Sequence, residues 1–225
     1  MRNAILGPSK FAHRIPQVIL GMDLVLVLAL FAAPLTVPHG TVRDLDARAN
    51  AMDHWDRWKE MDLFPMIVYT FGDFNCHQRE SRSLILNGNE IPVCARDIAI
   101  FTGILIGAFL LIRARASDNP SEIFLSILPK WFRTGVLASR PGITFAIIFF
   151  LMCIPTALDG GVQMLSGMPI WPFEWTYEST NPTRILTGMP LGIAVGILGT
   201  SLVMTLLSRR DDNGEPLLLS FRKAV

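Results

Sequence analysis

Residues Val18–Val37 read VILGMDLVLVLALFAAPLTV, twenty residues with one ionisable side chain, Asp23, and a proline, Pro34, near the end. An α-helix needs about 20 apolar residues to cross roughly 30 Å of hydrocarbon, and this stretch meets that length outright. Leu186–Leu207 does the same, and Ile98–Ile112 (IAIFTGILIGAFLLI) and Ile143–Leu158 (ITFAIIFFLMCIPTAL) reach it with a few interfacial residues at each end. One such block alone could be a buried core helix; four in one chain read as membrane spans, at about 18–37, 97–113, 142–159 and 186–207. The first block follows Arg2, Lys10 and Arg14, as a secretory signal would. It is longer than a signal core, carries Asp23 and lacks a small-x-small cleavage site near Ala32 and Ala33, so a retained span is expected.

The whole composition agrees. Of 225 residues, 51% are hydrophobic and 17% charged, against about 25% charged in an ordinary soluble domain. The mean hydropathy is +0.41. A net charge of +1 leaves no electrostatic footprint for nucleic acid, and three cysteines are too few for a disulfide-stapled secreted scaffold. With no internal repeat or low-complexity linker, residues 1–225 read as a single all-α integral membrane domain whose partner is the lipid bilayer.

Basic residues set the expected orientation. The N-terminal arm, the segment between spans two and three (Arg113, Arg115, Lys130, Arg133, Arg140) and the tail (Arg209, Arg210, Arg222, Lys223) hold 12 of the 20 lysines and arginines. Both termini are therefore expected in the cytoplasm, with outer loops at 38–96 and 160–185 and a location in a prokaryotic cell membrane.

Within the first outer loop, Val42, Leu45, Ala49, Met52 and Trp55 recur at helical spacing, which predicts an interfacial amphipathic helix over 42–60. Ser121–Ala138 predicts an inner counterpart kinked at Pro129. Trp171, Phe173, Trp175 and Tyr177 read as an aromatic belt. Gly103 and Gly107 in span two, and Gly188, Gly192 and Gly196 in span four, are small residues at four-residue spacing that let backbones approach. They predict span two packed on span four, with a homodimer contact as the alternative.

Chemistry concentrates just before span two. Residues 73–97 carry Cys76 and His77, a turn at Asn87-Gly88-Asn89, then Cys94 and Asp97. Cys94 and Asp97 stand three apart at a helix start and face the same way, and the helix N-terminus favours negative charge on both. The turn can fold Cys76 and His77 back on Cys94. The second loop adds Asp159, Gln163, Glu178, Asn181 and Arg184, which either cap helices or join Arg79, Arg82, Arg96 and Asp97 in a polar pocket. Ionisable groups at membrane depth pair whether or not a ligand binds. Asp23 is expected to pair with Arg14 or Arg113.

Cys76-His77-Gln78 with Arg79, Ser81 and Arg82, then Pro92-Val93-Cys94-Ala95-Arg96, then Asp159-Gly160, Gln163, Glu178-Ser179-Thr180-Asn181, Arg184 and Thr187-Gly188, follow one another in order. This resembles the signature of a domain-of-unknown-function family of prokaryotic predicted integral membrane proteins, over roughly residues 65–200. Where that family has a second Cys after Ala-Arg, this chain has Asp97. The resemblance implies fold and topology and carries no known activity.

Three readings of the cluster stay open. Cys76, His77, Cys94 and Asp97 bind zinc or another divalent metal, for which thiolate, imidazole and carboxylate are all suitable; or Cys76 and Cys94 form a disulfide; or the thiols are free and packed. Cys153 reads as a small core residue. The corresponding functions are a membrane enzyme or metal protein with an extracytoplasmic site, a non-catalytic accessory subunit of a membrane complex, or a small transporter. The last is weakest, because no broken half-helix pair is visible. No Walker loop, dinucleotide fingerprint, nucleophile elbow or His-Glu-x-x-His element is present.

Overall fold

The computed structural model describes residues 12–46, 48, 51–130, 139–166 and 177–208. Four helical stretches in it are long and apolar enough to cross a membrane: Ala12–Thr36, Ala95–Arg113, Pro141–Ser166 and Asn181–Ser208. We label the regular elements α1 (Ile15–Thr36), α2 (Trp55–Trp58), α3 (Leu63–Asn75), β1 (Ser83–Leu86), β2 (Asn89–Cys94), α4 (Ala95–Leu110), α5 (Pro120–Ile127), α6 (Pro141–Ser166) and α7 (Asn181–Ser208). Large apolar side chains such as Val25 and Leu28 on α1, Phe150 and Leu158 on α6 and Leu206 on α7 are exposed. Water would penalise such surfaces and lipid does not.

The residues group into two compact units, divided within the four long helices. One holds residues 23–103 and 154–192 of the described chain. Its core gathers Leu30, Ala33, Val42, Trp58, Tyr69, Ile91, Val93 and Ile98. Trp58 stacks on Tyr69 with ring centroids 5.0 Å apart. Their polar tips are satisfied: the Trp58 indole donates to Asp73 at 2.9 Å and the Tyr69 hydroxyl donates to the Glu90 carbonyl at 2.7 Å. Gly72 is obligatory here, because a Cβ on it would collide with the Pro92 carbonyl of β2.

The β1–β2 pair is an antiparallel hairpin, a two-stranded sheet added to the expected all-helical plan. Asn87 and Gly88 both adopt positive φ, 54° and 69°, the geometry that matches strand twist in a two-residue turn and that favours Asn-Gly. The asparagines then cap α1, whose last carbonyls have no partner within the helix. The Asn89 amide donates to the Pro34 and Pro38 carbonyls at 3.0 Å, and the Asn87 amide donates to Pro34 and Val37 at 3.2 Å.

That arrangement corrects one expectation. Over 42–60 only Trp55–Trp58 is helical; Ala47, Ala49 and Asn50 lie outside the described residues. Val42 instead joins the hairpin, donating its amide to the Asn89 side chain at 2.8 Å and accepting from the Glu90 amide at 2.8 Å. Asp44 takes φ of 55°, which breaks a helix. The long-range pairing outweighs the local periodicity, and the amphipathic helix of this loop is α3, whose exposed Leu63, Phe64 and Ile67 oppose buried Val68 and Tyr69.

The other unit holds residues 12–22, 104–153 and 193–208 of the described chain, around Leu111, Ile123, Phe124, Leu125, Ile197 and Met204. The Asn119 side chain accepts from the Ser121 amide at 3.0 Å and caps α5. Of the helix expected over Ser121–Ala138, the first stretch, α5, runs to Ile127. Leu128 is extended, the conformation favoured before Pro129, so the helix is interrupted there, and Lys130 is helical again. Residues 131–138 lie outside the described ones, as do Trp171, Phe173 and Trp175.

Within each unit α4 meets α7 through glycine. Gly107 lies against Ile193 and Gly196, Gly196 against Ile104, Gly192 against Ile100, and Gly188 against Arg96. A Cβ on Gly107 would stand 2.7 Å from the Ile193 carbonyl oxygen. Gly103 is buried on the same helix. Asp23 is buried in α1, and its pairing with Arg14 or Arg113 does not occur: it joins no ion pair among the described residues.

Candidate functional site

Cys76 follows α3 in extended conformation, its amide still bonded to the Gly72 carbonyl at 2.8 Å. Two residues on, Gln78 takes a positive φ of 41° and its side-chain amide donates to the Pro92 carbonyl at 2.9 Å. This bond folds the 76–79 segment against β2. The hairpin then returns the chain so that the Cys94 amide donates to Cys76 Sγ at 3.2 Å. Since α4 begins at Ala95, Asp97 stands one turn beyond Cys94, and the Cys94 thiol donates to its Oδ2 at 3.2 Å. One ligand atom from each of Cys76, Cys94 and Asp97 lies within 4.8 Å of the others.

His77 does not join this group. It lines a cavity together with Cys76 and Cys94, but it is exposed while Cys76 is buried, and its ring is not among the ligand atoms gathered within 4.8 Å. Cys76 and Cys94 are free thiols. Their acidities diverge: a side-chain hydrogen bond between the two thiols, distinct from the amide contact, draws Cys94 below the ordinary thiol range, against its own burial. Cys76 is held well above that range by the same hydrogen bond, by desolvation and by the charge of Cys94. Cys153 is a separate thiol on α6.

These groups form one wall of a cavity of about 610 Å³. The opposite wall comes from α6 and α7, which contribute Gly160, Gln163 and Arg184. Helix α6 continues to Ser166, so Asp159 and Gln163 are helical neighbours one turn apart. Asp159 is the hub: it pairs with Arg96 and accepts from Tyr177 at 2.8 Å, Ser179 at 3.0 Å and Thr187 at 3.3 Å. Tyr177, expected in an aromatic belt, donates to a buried carboxylate, and that bond raises its own pKa.

The remaining polar residues tie the loops together. Arg82 and Ser81 hold Glu178 at 3.2 and 3.1 Å, which lowers the Glu178 pKa. Arg79 pairs with Asp46 at 2.8 Å. The Asn181 amide donates to the Ser83 carbonyl at 3.1 Å. Arg184, though 2% exposed, donates only to the Ser179 carbonyl at 2.9 Å and the Gln163 side chain at 3.1 Å. Sequence reading missed Asp46, Ser179 and Thr187 as partners. Their hydroxyls and carboxylate carry no spacing signal, because the contacts depend on where distant segments meet.

The family described as Predicted membrane protein (DUF2085) matches residues 76–198. An uncharacterized protein of Methanocaldococcus jannaschii, MJ1492, is 27% identical over 138 residues, covering 61% of this chain and 67% of its own length. An uncharacterized protein of Methanothermobacter thermautotrophicus is 26% identical over 123 residues, covering 55% of this chain and 82% of its own length. No solved structure matches the chain. The stretch matched by the family begins at Cys76 and contains Cys94, Asp97, Asp159 and Arg184.

Proposed function

Because this chain belongs to the DUF2085 family of predicted membrane proteins, and is a multi-pass membrane protein with relatives in archaea, we propose that Cys76, Cys94 and Asp97 hold a zinc-like divalent ion in the cavity wall. The carrying observation is the convergence of two sulfurs and a carboxylate oxygen within 4.8 Å of one another. Tetrahedral zinc with bonds of about 2.3 Å to sulfur and about 2.0–2.2 Å to oxygen sets its ligands roughly 3.5–3.8 Å apart, so a small closure completes the site. The bound ion would take both thiols as thiolates, and the lowered pKa of Cys94 supports this.

Three protein ligands leave a fourth position for water or substrate, the pattern of catalytic rather than structural zinc. A metal-bound water beside a cavity lined by guanidinium groups suits hydrolytic chemistry on an anionic substrate. The uneven distribution of basic residues supports an extracytoplasmic position for the cavity.

The test is metal analysis of the purified protein beside a count of reactive thiols. About one zinc per chain, with Cys76 and Cys94 shielded from alkylation until chelation, is the expected result. A quantitative Cys76–Cys94 disulfide without metal overturns it and favours an accessory subunit with a stapled loop.

A further inference from the structure

The four arginines on the cavity wall differ in one respect. Arg79, Arg82 and Arg96 each pair with a carboxylate, Asp46, Glu178 and Asp159. Arg184 is the most buried of them and forms no ion pair among the described residues. Its two hydrogen bonds go to a neutral carbonyl and a neutral amide, leaving Nη1 without a partner among the described residues. A buried cation without a direct ion-pair partner is unfavourable, and Asp159 and Glu178 act on Arg184 only through space. The carboxylate on the wall itself, Asp97, already accepts from the Cys94 thiol.

Three further side-chain atoms, on residues that line the same cavity, are buried without partners among the described residues: the donors Arg96 Nε and Gln163 Nε2, and the acceptor Gln78 Oε1. Buried polar groups in native proteins are nearly all satisfied, so this set calls for a ligand that accepts several hydrogen bonds, donates one and carries negative charge. We propose that the cavity binds a phosphate group, with Arg184 as its charge partner, Arg96 and Gln163 as further donors, and Gln78 accepting from a hydroxyl of the phosphate or of the group it bears. Guanidinium groups suit phosphate oxygens by their forked geometry. A volume of about 610 Å³ exceeds a bare phosphate and leaves room for an organic body. This goes beyond the metal reading and does not rest on it.

The phosphate group can come from a water-soluble ester or from a lipid headgroup, and the experiment separates them. Protein in neutral detergent is titrated with inorganic phosphate, glycerol phosphate and sulfate. Protein in phosphatidylcholine nanodiscs, with and without added phosphatidylglycerol, forms the second arm. Thermal stabilisation is the readout. Phosphate or its ester is expected to stabilise more than sulfate, which has no hydroxyl to offer Gln78; a response to phosphatidylglycerol alone assigns the lipid source.

The deciding variant is Gln163→Glu, which places a carboxylate on the hydrogen bond Arg184 already makes. It is expected to unfold at the same or a higher temperature than wild type and to bind the phosphate ligand at least tenfold more weakly. Arg184→Lys, which keeps the charge and loses the fork, is expected to fall between them. Stabilisation that persists in Gln163→Glu, equal response to sulfate and phosphate, or no response in either arm overturns the proposal. Metal content measured on the same samples keeps this result separate from the zinc reading.

Discussion

The Cys94 amide donates to Cys76 Sγ at 3.2 Å across 18 residues of intervening chain. The contact is made by the hairpin, whose Asn87-Gly88 turn reverses the chain, and by Gln78, which pins the other arm to Pro92. It brings the two thiols together, and the side-chain hydrogen bond between them leaves them inequivalent: Cys94 is the one that gives up a proton first, and Cys76, more deeply buried, the one that keeps it.

That inequivalence predicts an order of reaction in metal-free, reduced protein. Thiolate is the nucleophile, so alkylation rates rise with pH as each thiol ionises. Cys94 should reach half its maximal rate below the pH of a free cysteine peptide, and Cys76 should stay unreactive through neutral pH. Mass spectrometry of iodoacetamide-treated protein across a pH series checks this; earlier labelling of Cys76 would contradict the assignment.

Replacing Cys94 with Ser is expected to remove bound zinc and lower the unfolding temperature, because metal binding to the native state is folding free energy. Asp97→Cys is expected to keep or tighten zinc, thiolate being the softer ligand. His77→Ala is expected to leave metal content unchanged, since His77 stands outside the gathered group. Plasma emission measurements on the three variants decide among these outcomes.

Gly192 and Gly199 lie on the same helix and form a matched pair. A Cβ at Gly192 would collide with the Ile100 carbonyl, whereas one at Gly199 meets nothing within 4 Å. Gly192→Ala should destabilise by about 1–3 kcal/mol through overpacking. Gly199→Ala should be neutral or stabilise, by up to about 1 kcal/mol, through helix propensity. Thermal unfolding in detergent compares them directly.

Asp159 accepts from Arg96, Tyr177, Ser179 and Thr187. Asp159→Ala would strand the Arg96 guanidinium in a half-buried site, and loss of one partner of a buried pair costs about 3–5 kcal/mol. Tyr177→Phe removes one donor and should cost about 1 kcal/mol. Unfolding measurements that rank Tyr177→Phe as the more damaging change would remove Asp159 from the centre of the network.

Reporter fusions test orientation. A fusion after Leu207 is expected to report cytoplasm, and one near Asn87 the opposite side, following the concentration of basic residues in the termini and in the loop between the second and third spans. A cytoplasmic Asn87 fusion would invert the topology and put the cavity in a reducing compartment.

The four spans and the glycine seam were legible in the sequence because both are local composition signals: run length against bilayer thickness, and small residues at four-residue intervals. The pairing of Cys94 with Asp97 was also legible, since one turn of helix fixes it. Other features depended on tertiary contacts. The segment around Val42 has helical periodicity yet pairs with Asn89 and Glu90, and long-range hydrogen bonds outweigh a weak propensity. His77 is next to Cys76 in the chain and lines the same cavity, yet it stays exposed at its surface and outside the gathered ligand atoms. Arg184 is left without a carboxylate among the described residues while Arg96 has one, and this is fixed by which side chains α6, α7 and the hairpin bring to one cavity. No spacing rule encodes that meeting of segments roughly 90 residues apart.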